Sequence, residues 1–305
     1  MDGGLYDVLR ALWLVFGAVV GACVGSFVNV VIARVPAGLS VVTPASRCPR
    51  CETPIRPWQN IPVVSWLVLR GKARCCGTTI PARYMLVEAL GGALGFLLVA
   101  VEGASFTTVL HGLMFLILVS VAFIDLDTWS IPEVFSRSLL PLGLALQVVT
   151  RLTLGQDLTS SAVEGLKESV LGALLGFGVL FVVRIGATAL ARATGRIKPD
   201  EDAMGTGDEQ LLRGIGACLG PLGVFWALML GSAQGTLVGL AARVATGGKD
   251  NPVGAAVPDP EDDWRPPPGA IPFGPFLALG AIEFVLMGSL LPDLQLAGLF
   301  AELAG

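Results

Sequence analysis

The sequence predicts an all-α polytopic membrane protein of about eight transmembrane helices, with a small cytoplasmic zinc-knuckle loop. Of its 305 residues, 53% are hydrophobic and only 14% charged, and the mean hydropathy is +0.74. Ordinary soluble domains do not have that composition. The apolar residues gather into runs of spanning length, and Gly and Pro punctuate nearly every junction between runs. The formal net charge of −4 says little, because in a membrane protein the information lies in where Lys and Arg fall. No basic stripe stands outside one short loop, which argues against a nucleic-acid partner.

The first run, Leu9 to Ala33, is longer than a signal-peptide core and holds internal polar residues such as Asn29. It reads as a retained span rather than a cleaved leader. Further spans are expected at Tyr84 to Val101, Thr107 to Ile124, Val134 to Thr150 and Val170 to Ala191. The stretch Leu211 to Ala245 is too long for one span, and Gly220-Pro221 with Gly223 divides it into a short helix after Asp208 and a span from about Leu222. A last span runs from Ile271 to Leu291. The loop at 247–269, rich in Pro, Gly and acid, is expected to be disordered. No internal repeat is evident.

Orientation follows from the loop between the first two spans. There Arg34, Arg47, Arg50, Arg56, Arg70, Lys72, Arg74 and Arg83 face a single acid, Glu52, so the loop is expected in the cytoplasm and the N-terminus outside. The same loop carries Cys48-Pro49-Arg50-Cys51 and, after 23 intervening residues, Cys75-Cys76. Thiolates at that spacing in a reducing compartment suit zinc better than disulfides, the alternatives being a redox pair or inert thiols. The second pair is irregular, since adjacent cysteines converge on one metal less easily than Cys-x-x-Cys; Cys76 is the safer ligand and Cys75 the candidate fourth. Cys23 and Cys218, inside apolar runs, are expected to be small buried residues.

Two acids stand out. Asp125 closes the apolar run Leu116 to Ile124, and Asp208 ends Gly205-Thr206-Gly207-Asp208 before another apolar run. Acids at the edge of hydrocarbon are expensive and usually functional. Alternating the spans from the basic loop puts both on the cytoplasmic side, where they can share a proton and activate a water. Asp127 is the alternative to Asp125, because Asp-x-Asp can turn either acid inward. Glu88, His111, Arg184 and Glu283 also interrupt spans and need partners. Asp200, Glu201 and Asp202 are either a solvated charge run or an attractor for a basic peptide. His111 is the only histidine, so no Ser-His triad can be built.

Five blocks, in order, carry a family resemblance: Gly25-Ser26-Phe27-Val28-Asn29 through Arg34-Val35-Pro36; Cys48 to Cys51 through Asn60-Ile61-Pro62-Val63-Val64-Ser65-Trp66 to Arg83-Tyr84; Ile124-Asp125-Leu126-Asp127 with Ile131-Pro132-Glu133; Met204-Gly205-Thr206-Gly207-Asp208; and Ile271-Pro272-Phe273-Gly274 to Ala278. Together they cover most of the chain and resemble the bifunctional type IV prepilin peptidases, multi-pass aspartic peptidases of the bacterial inner membrane. The resemblance implies that the chain removes the basic leader from prepilins or pseudopilins at the cytoplasmic face. It implies further that the new N-terminal amine is methylated with S-adenosylmethionine, that Asp125 and Asp208 are catalytic, and that Cys48, Cys51, Cys75 and Cys76 hold Zn²⁺. Residues 1–33 would then be a first span, 34–83 the methyltransferase-linked cysteine loop, and 84–305 the peptidase domain.

Three departures from the family pattern matter. Ala73 occupies the place of a cysteine, Glu209-Gln210 stand where an apolar residue and Lys are usual, and Glu133 replaces an Asp. No Gly-x-Gly-x-x-Gly follows a strand, which excludes a soluble Rossmann methyltransferase. The competing class is a transporter or channel using its intramembrane acids as ion sites; inverted repeats would favour it.

Overall fold

A computed structural model describes residues 3–195, 197–198, 202–245 and 270–290. The 247–269 loop and two acids of the charge run, Asp200 and Glu201, lie outside the described residues. Among the described residues eight α-helices follow one another: α1 (Gly3–Arg34), α2 (Val64–Val68), α3 (Ala82–Glu102), α4 (Phe106–Thr128), α5 (Glu133–Thr153), α6 (Leu158–Ala193), α7 (Gly207–Ala245) and α8 (Gly274–Leu290). Among the described residues there are isolated β-bridges but no strand. Five of these helices (α1, α3, α4, α6 and α7) are, among the described residues, long and apolar enough to cross a membrane. The two segments expected between Leu211 and Ala245 are the halves of α7, which bends at Gly220 (φ 71°, ψ −175°) before Pro221. The carbonyl of Cys218, just before the bend, accepts a hydrogen bond from Gln147 Nε2 at 2.9 Å. An apolar interior requires such a replacement partner.

α6 begins twelve residues before the expected Val170, at Leu158. The extra turns carry Thr159, Ser160, Ser161 and Lys167, which hydropathy alone reads as loop. They stay helical because Asp157 caps the start, accepting from the backbone N–H groups of Thr159 (2.9 Å) and Ser160 (3.1 Å). Ser161, Gly165 and Ser169 then form a buried face of small residues.

The chain divides into two compact units at Leu116/Ile117 and again at Val285/Leu286. In the first unit α1 and α3 pack antiparallel, with Gly17, Gly21 and Gly25 facing Gly95, Gly91 and Val87. A Cβ on Gly25 would lie 2.7 Å from the Val87 carbonyl oxygen, and one on Gly21 or Gly91 would overlap the opposing backbone. Such small-residue stripes let membrane helices touch backbone to backbone. Cys23, expected to be buried, is exposed; two residues from Gly21 and from Gly25, it points about 200° away from that seam. His111 Nδ1 lies 2.7 Å from Glu102 Oε1 in this unit, so the one histidine answers an acid from the neighbouring helix.

In the second unit α6 runs antiparallel to α7, with Gly172 against Gly216 and Gly176 against the Leu212 carbonyl. α5 lies parallel to α7, Gly143 meeting the backbone of Ala217 and Cys218. Cys218 is buried there, as expected, its Sγ 3.4 Å from the Leu139 carbonyl. α8 packs antiparallel on the second half of α7, where Gly231 meets Phe276 and Gly280 meets Ala227, and Gln234 Nε2 hydrogen-bonds Glu283 at 2.5 Å.

Gly172→Leu forces a side chain into the Gly216 backbone, whereas Gly178, on the same helix, has no atom within 4 Å of an added Cβ. Thermal unfolding in detergent should show Gly172→Leu destabilised by about 2 kcal/mol and Gly178→Leu unchanged; equal midpoints would refute the backbone seam.

Candidate active site and metal centre

α4 ends where the first acid sits. Trp129 takes a left-handed conformation (φ 54°) and its N–H donates to the Asp125 carbonyl at 2.9 Å, stopping the helix at Thr128. The Asp125 side chain is buried, 5% exposed, and its Oδ2 accepts the backbone N–H of Gly274 at 3.1 Å, the first residue of α8. A Cβ on Gly274 would come within 2.6 Å of that oxygen, so glycine is what lets the α8 backbone approach the carboxylate. Asp127 is only half-buried and makes interactions of its own. Two residues apart on a helix point about 200° from each other, so the carboxylate that Gly274 holds is Asp125 alone.

Asp208 lies in the first turn of α7, an end that favours negative charge. It is near enough to Asp125 to act on it electrostatically. Ile131 joins the two positions: its side chain is the nearest neighbour of Gly207 and also touches Gly274. Gly205 and Gly207 give the approach to Asp208 little bulk; nothing lies within 4 Å of where a Gly205 Cβ would stand.

The segment leading into α7 is fastened to α6. Arg184 Nε pairs with Glu209, which is only 1% exposed, and Arg184 Nη1 reaches Asp202 at 2.8 Å. Arg192 also binds Asp202, at 3.1 Å, and the Ala203 N–H donates to Thr188 Oγ1 at 3.0 Å. Asp202 is thus engaged by two arginines of its own chain. Glu209, a departure from the family pattern in the sequence, is a buried anchor. Its partner lies 25 residues earlier, and no local pattern announces the pairing. Gly274, Ile131 and Arg184 were not singled out from sequence for these contacts, although Gly274 and Ile131 lie within the recognised blocks.

The cysteine loop contains a repeat at an offset of 25 residues that the sequence conceals. In the first knuckle Cys48 N–H donates to Thr53 O (3.0 Å), Glu52 N–H to Cys48 O (2.9 Å) and Ile55 N–H to Ser46 O (3.0 Å). In the second, Ala73 N–H donates to Thr78 O (2.8 Å), Gly77 N–H to Ala73 O (2.8 Å) and Ile80 N–H to Gly71 O (2.7 Å). The isolated bridges Arg47↔Pro54 and Lys72↔Thr79 obey the same offset, as do the positive φ angles of Glu52 (55°) and Gly77 (69°). Cys51 therefore corresponds to Cys76, and Cys48 to Ala73. The missing thiol is supplied by Cys75.

All four Sγ atoms lie within 4.8 Å of one another, Cys48 to Cys76 at 3.6 Å and Cys51 to Cys75 at 3.3 Å. Four thiolates around a tetrahedral zinc stand about 3.8 Å apart, so the donor set fits Zn²⁺. The thiols are unequal. Hydrogen bonding to Thr53 pulls Cys51 down to about 6, while Cys75, chiefly through its hydrogen bond to Cys51, is pushed up to about 12.

Residues 19–102 match the bacterial Peptidase A24 N-terminal domain, and residues 112–240 match the Type IV leader peptidase family. The chain is 33% identical to a "Prepilin leader peptidase/N-methyltransferase" of Myxococcus xanthus, over 96% of each protein. It is 33% identical to the protein of the same name from Neisseria gonorrhoeae, over 79% of this chain and 86% of that one. A "Type 4 prepilin-like proteins leader peptide-processing enzyme" of Escherichia coli is 30% identical, over 94% of this chain and 99% of its own length. No solved structure matches the chain.

Two outcomes are expected. Elemental analysis of the purified chain should find zinc that Cys48→Ser with Cys51→Ser abolishes and that Ala73→Cys with Cys75→Ala retains; loss of zinc in the second pair would sink the repeat. Arg184→Met leaves Glu209 buried without its cation and should cost about 3 kcal/mol in unfolding experiments, with much of the loss recovered by adding Glu209→Leu.

Proposed function

The chain belongs to the type IV leader peptidase family, and we propose that it removes the leader peptide from prepilins or pseudopilins by aspartic-peptidase chemistry and methylates the exposed amine. The observation that carries this reading is a buried carboxylate, Asp125, held by the Gly274 N–H and under the electrostatic influence of Asp208. Two acids in one poorly hydrated site divide their roles, because both cannot ionise cheaply.

The ionised carboxylate takes a proton from water as the water oxygen attacks the scissile carbonyl carbon. The protonated one donates to the carbonyl oxygen. When the tetrahedral intermediate collapses, the C–N bond breaks and the leaving amine receives a proton. The Gly274 N–H keeps Asp125 facing this centre, and Gly205, with open space where a Cβ would stand, leaves room for an extended substrate.

The second activity uses S-adenosylmethionine, which supplies an electrophilic methyl group. The released amine nitrogen forms the new N–C bond, the S–C bond breaks, and the amine gives up a proton. We assign this step to the 34–83 loop together with the ends of α1 and α3 that face it, with Zn²⁺ as a structural ion, residues 1–33 to a first span, and the rest of 84–305 to proteolysis. The basic loop supports an orientation in the bacterial inner membrane with the site on the cytoplasmic side. A prepilin would present its basic leader there, followed by an apolar helix in the bilayer. A transporter reading would be favoured by inverted repeats, and the repeat described above lies in the cysteine loop.

Incubating detergent-solubilised protein with a prepilin should give leader removal that Asp125→Asn and Asp208→Asn each lower by about 10³-fold or more. Asp127→Asn should retain activity. Cleavage that survives both of the first two substitutions would refute the assignment. Mass spectrometry of the product should show one added methyl group dependent on S-adenosylmethionine.

A further inference from the structure

A cavity of about 500 Å³ lies within the first unit, between the end of α1, the start of α3 and the cysteine loop. Its walls include Asn29 and Arg34 of α1, Glu88 of α3, and Trp66 of the loop; the metal knuckle closes one side through Cys48 and Cys75. Each of the four is fixed by a different contact. Asn29 Nδ2 donates to the Tyr84 carbonyl at 3.0 Å, tying α1 to α3. Trp66 Nε1 donates to the Ile80 carbonyl at 3.1 Å, and the indole lies over Gly71, where a Cβ would come within 2.9 Å of the ring.

Glu88 holds a strained piece of backbone. Val63 has φ 62° and ψ −51°, and the Val64 N–H donates to the Pro62 carbonyl at 2.6 Å across it. That is a γ-turn of the unfavourable hand, at a β-branched residue. The Val63 N–H is received by Glu88 Oε2 at 2.7 Å. Strain of this kind persists where the surroundings over-determine it, commonly at binding sites.

The charges at this cavity are unbalanced. Among the described residues Glu88 has no cation partner, and Arg34, whose Nη1 donates to the Ser40 carbonyl at 2.9 Å, has no carboxylate partner. Sequence reading left Glu88 in need of a partner; the structure gives it the Val63 N–H. A half-buried carboxylate without a cation invites a positively charged ligand, and the guanidinium that lines the same cavity invites a carboxylate. The Trp66 indole offers a flat face for a heterocycle.

Granting methyl transfer as the second activity, we infer that this cavity binds S-adenosylmethionine, with Glu88 facing its cationic sulfonium and amino-acid end, Arg34 its carboxylate, and Trp66 its adenine. The volume lies in the range of small-molecule sites. The knuckle then acts as a wall of the cavity, with no chemical step assigned to its metal.

The test compares two ligands on the full-length chain in detergent, by calorimetry: sinefungin, which carries an ammonium in place of the sulfonium, and S-adenosylhomocysteine, a neutral thioether there. Wild type should bind sinefungin about tenfold tighter than the thioether. Glu88→Gln, whose amide oxygen still accepts the Val63 N–H, should erase that preference. Arg34→Gln should weaken both ligands by a similar factor and leave the preference intact. Equal losses for both ligands in Glu88→Gln would make the residue a scaffold only and overturn the assignment. So would wild-type discrimination in a Glu88→Gln protein whose parent methylates prepilin. A parent that cleaves prepilin yet neither methylates it nor binds either ligand would refute the methyl-transfer reading itself, and this site with it.

Discussion

Helices in a bilayer gain little from burying apolar side chains against each other, because the surrounding lipid is equally apolar. What remains is close contact, and in both units of this chain it is made by glycine. Gly17, Gly21 and Gly25 of α1 close on Gly91 and Gly95 of α3, and Gly172 and Gly176 of α6 close on Gly216 and Leu212 of α7. The second seam matters most for the acids. With α6 and α7 in backbone contact, Arg184 of one helix reaches Glu209 of the other, and that ion pair sits beside Asp208. Without the seam the arginine and the glutamate would each be stranded in a medium that tolerates neither.

Legibility in the sequence followed the range of the interaction. Asp125 and Asp208 stood out because an acid closing an apolar run is a local anomaly, and the break at Gly220-Pro221 because its cause lies in two adjacent residues. Partnerships across the bundle left no such trace. Nothing near Glu209 foretells Arg184, and nothing near Asp125 foretells an N–H from Gly274, 149 residues away. The length of α6 was missed for a related reason: its first turns are polar, and the Asp157 cap and the approach of Gly165 to Val148 of α5 that keep them helical are not measured by hydropathy.

The cysteine loop shows how a repeat hides once one ligand has moved. Residues 47–55 and 72–80 share a hydrogen-bond pattern and only a few side chains. The thiol missing at Ala73 reappears two positions later at Cys75, so the spacing looks broken while the sulfur cluster stays compact. Backbone geometry has kept a symmetry that the ligands have lost. The same loop carries the strained Val63 turn and the Trp66 indole, so metal coordination and cavity shape depend on one short stretch of chain.

The bend at Gly220 has a mechanical meaning for the two carboxylates. Asp208 travels with the first half of α7, which is seamed to α5 and α6. The second half packs against α8, whose first residue holds Asp125. The acids are therefore attached on opposite sides of the one interruption in that helix, about 18 Å along the axis from Asp208. A glycine with positive φ followed by a proline is a joint without a continuous hydrogen-bond ladder across it. Gly220 itself lies in the α6 seam, its Cα 2.8 Å from where a Gly172 Cβ would stand, so the packing that closes the seam also fixes the bend and, through α8, the approach of Gly274 to Asp125.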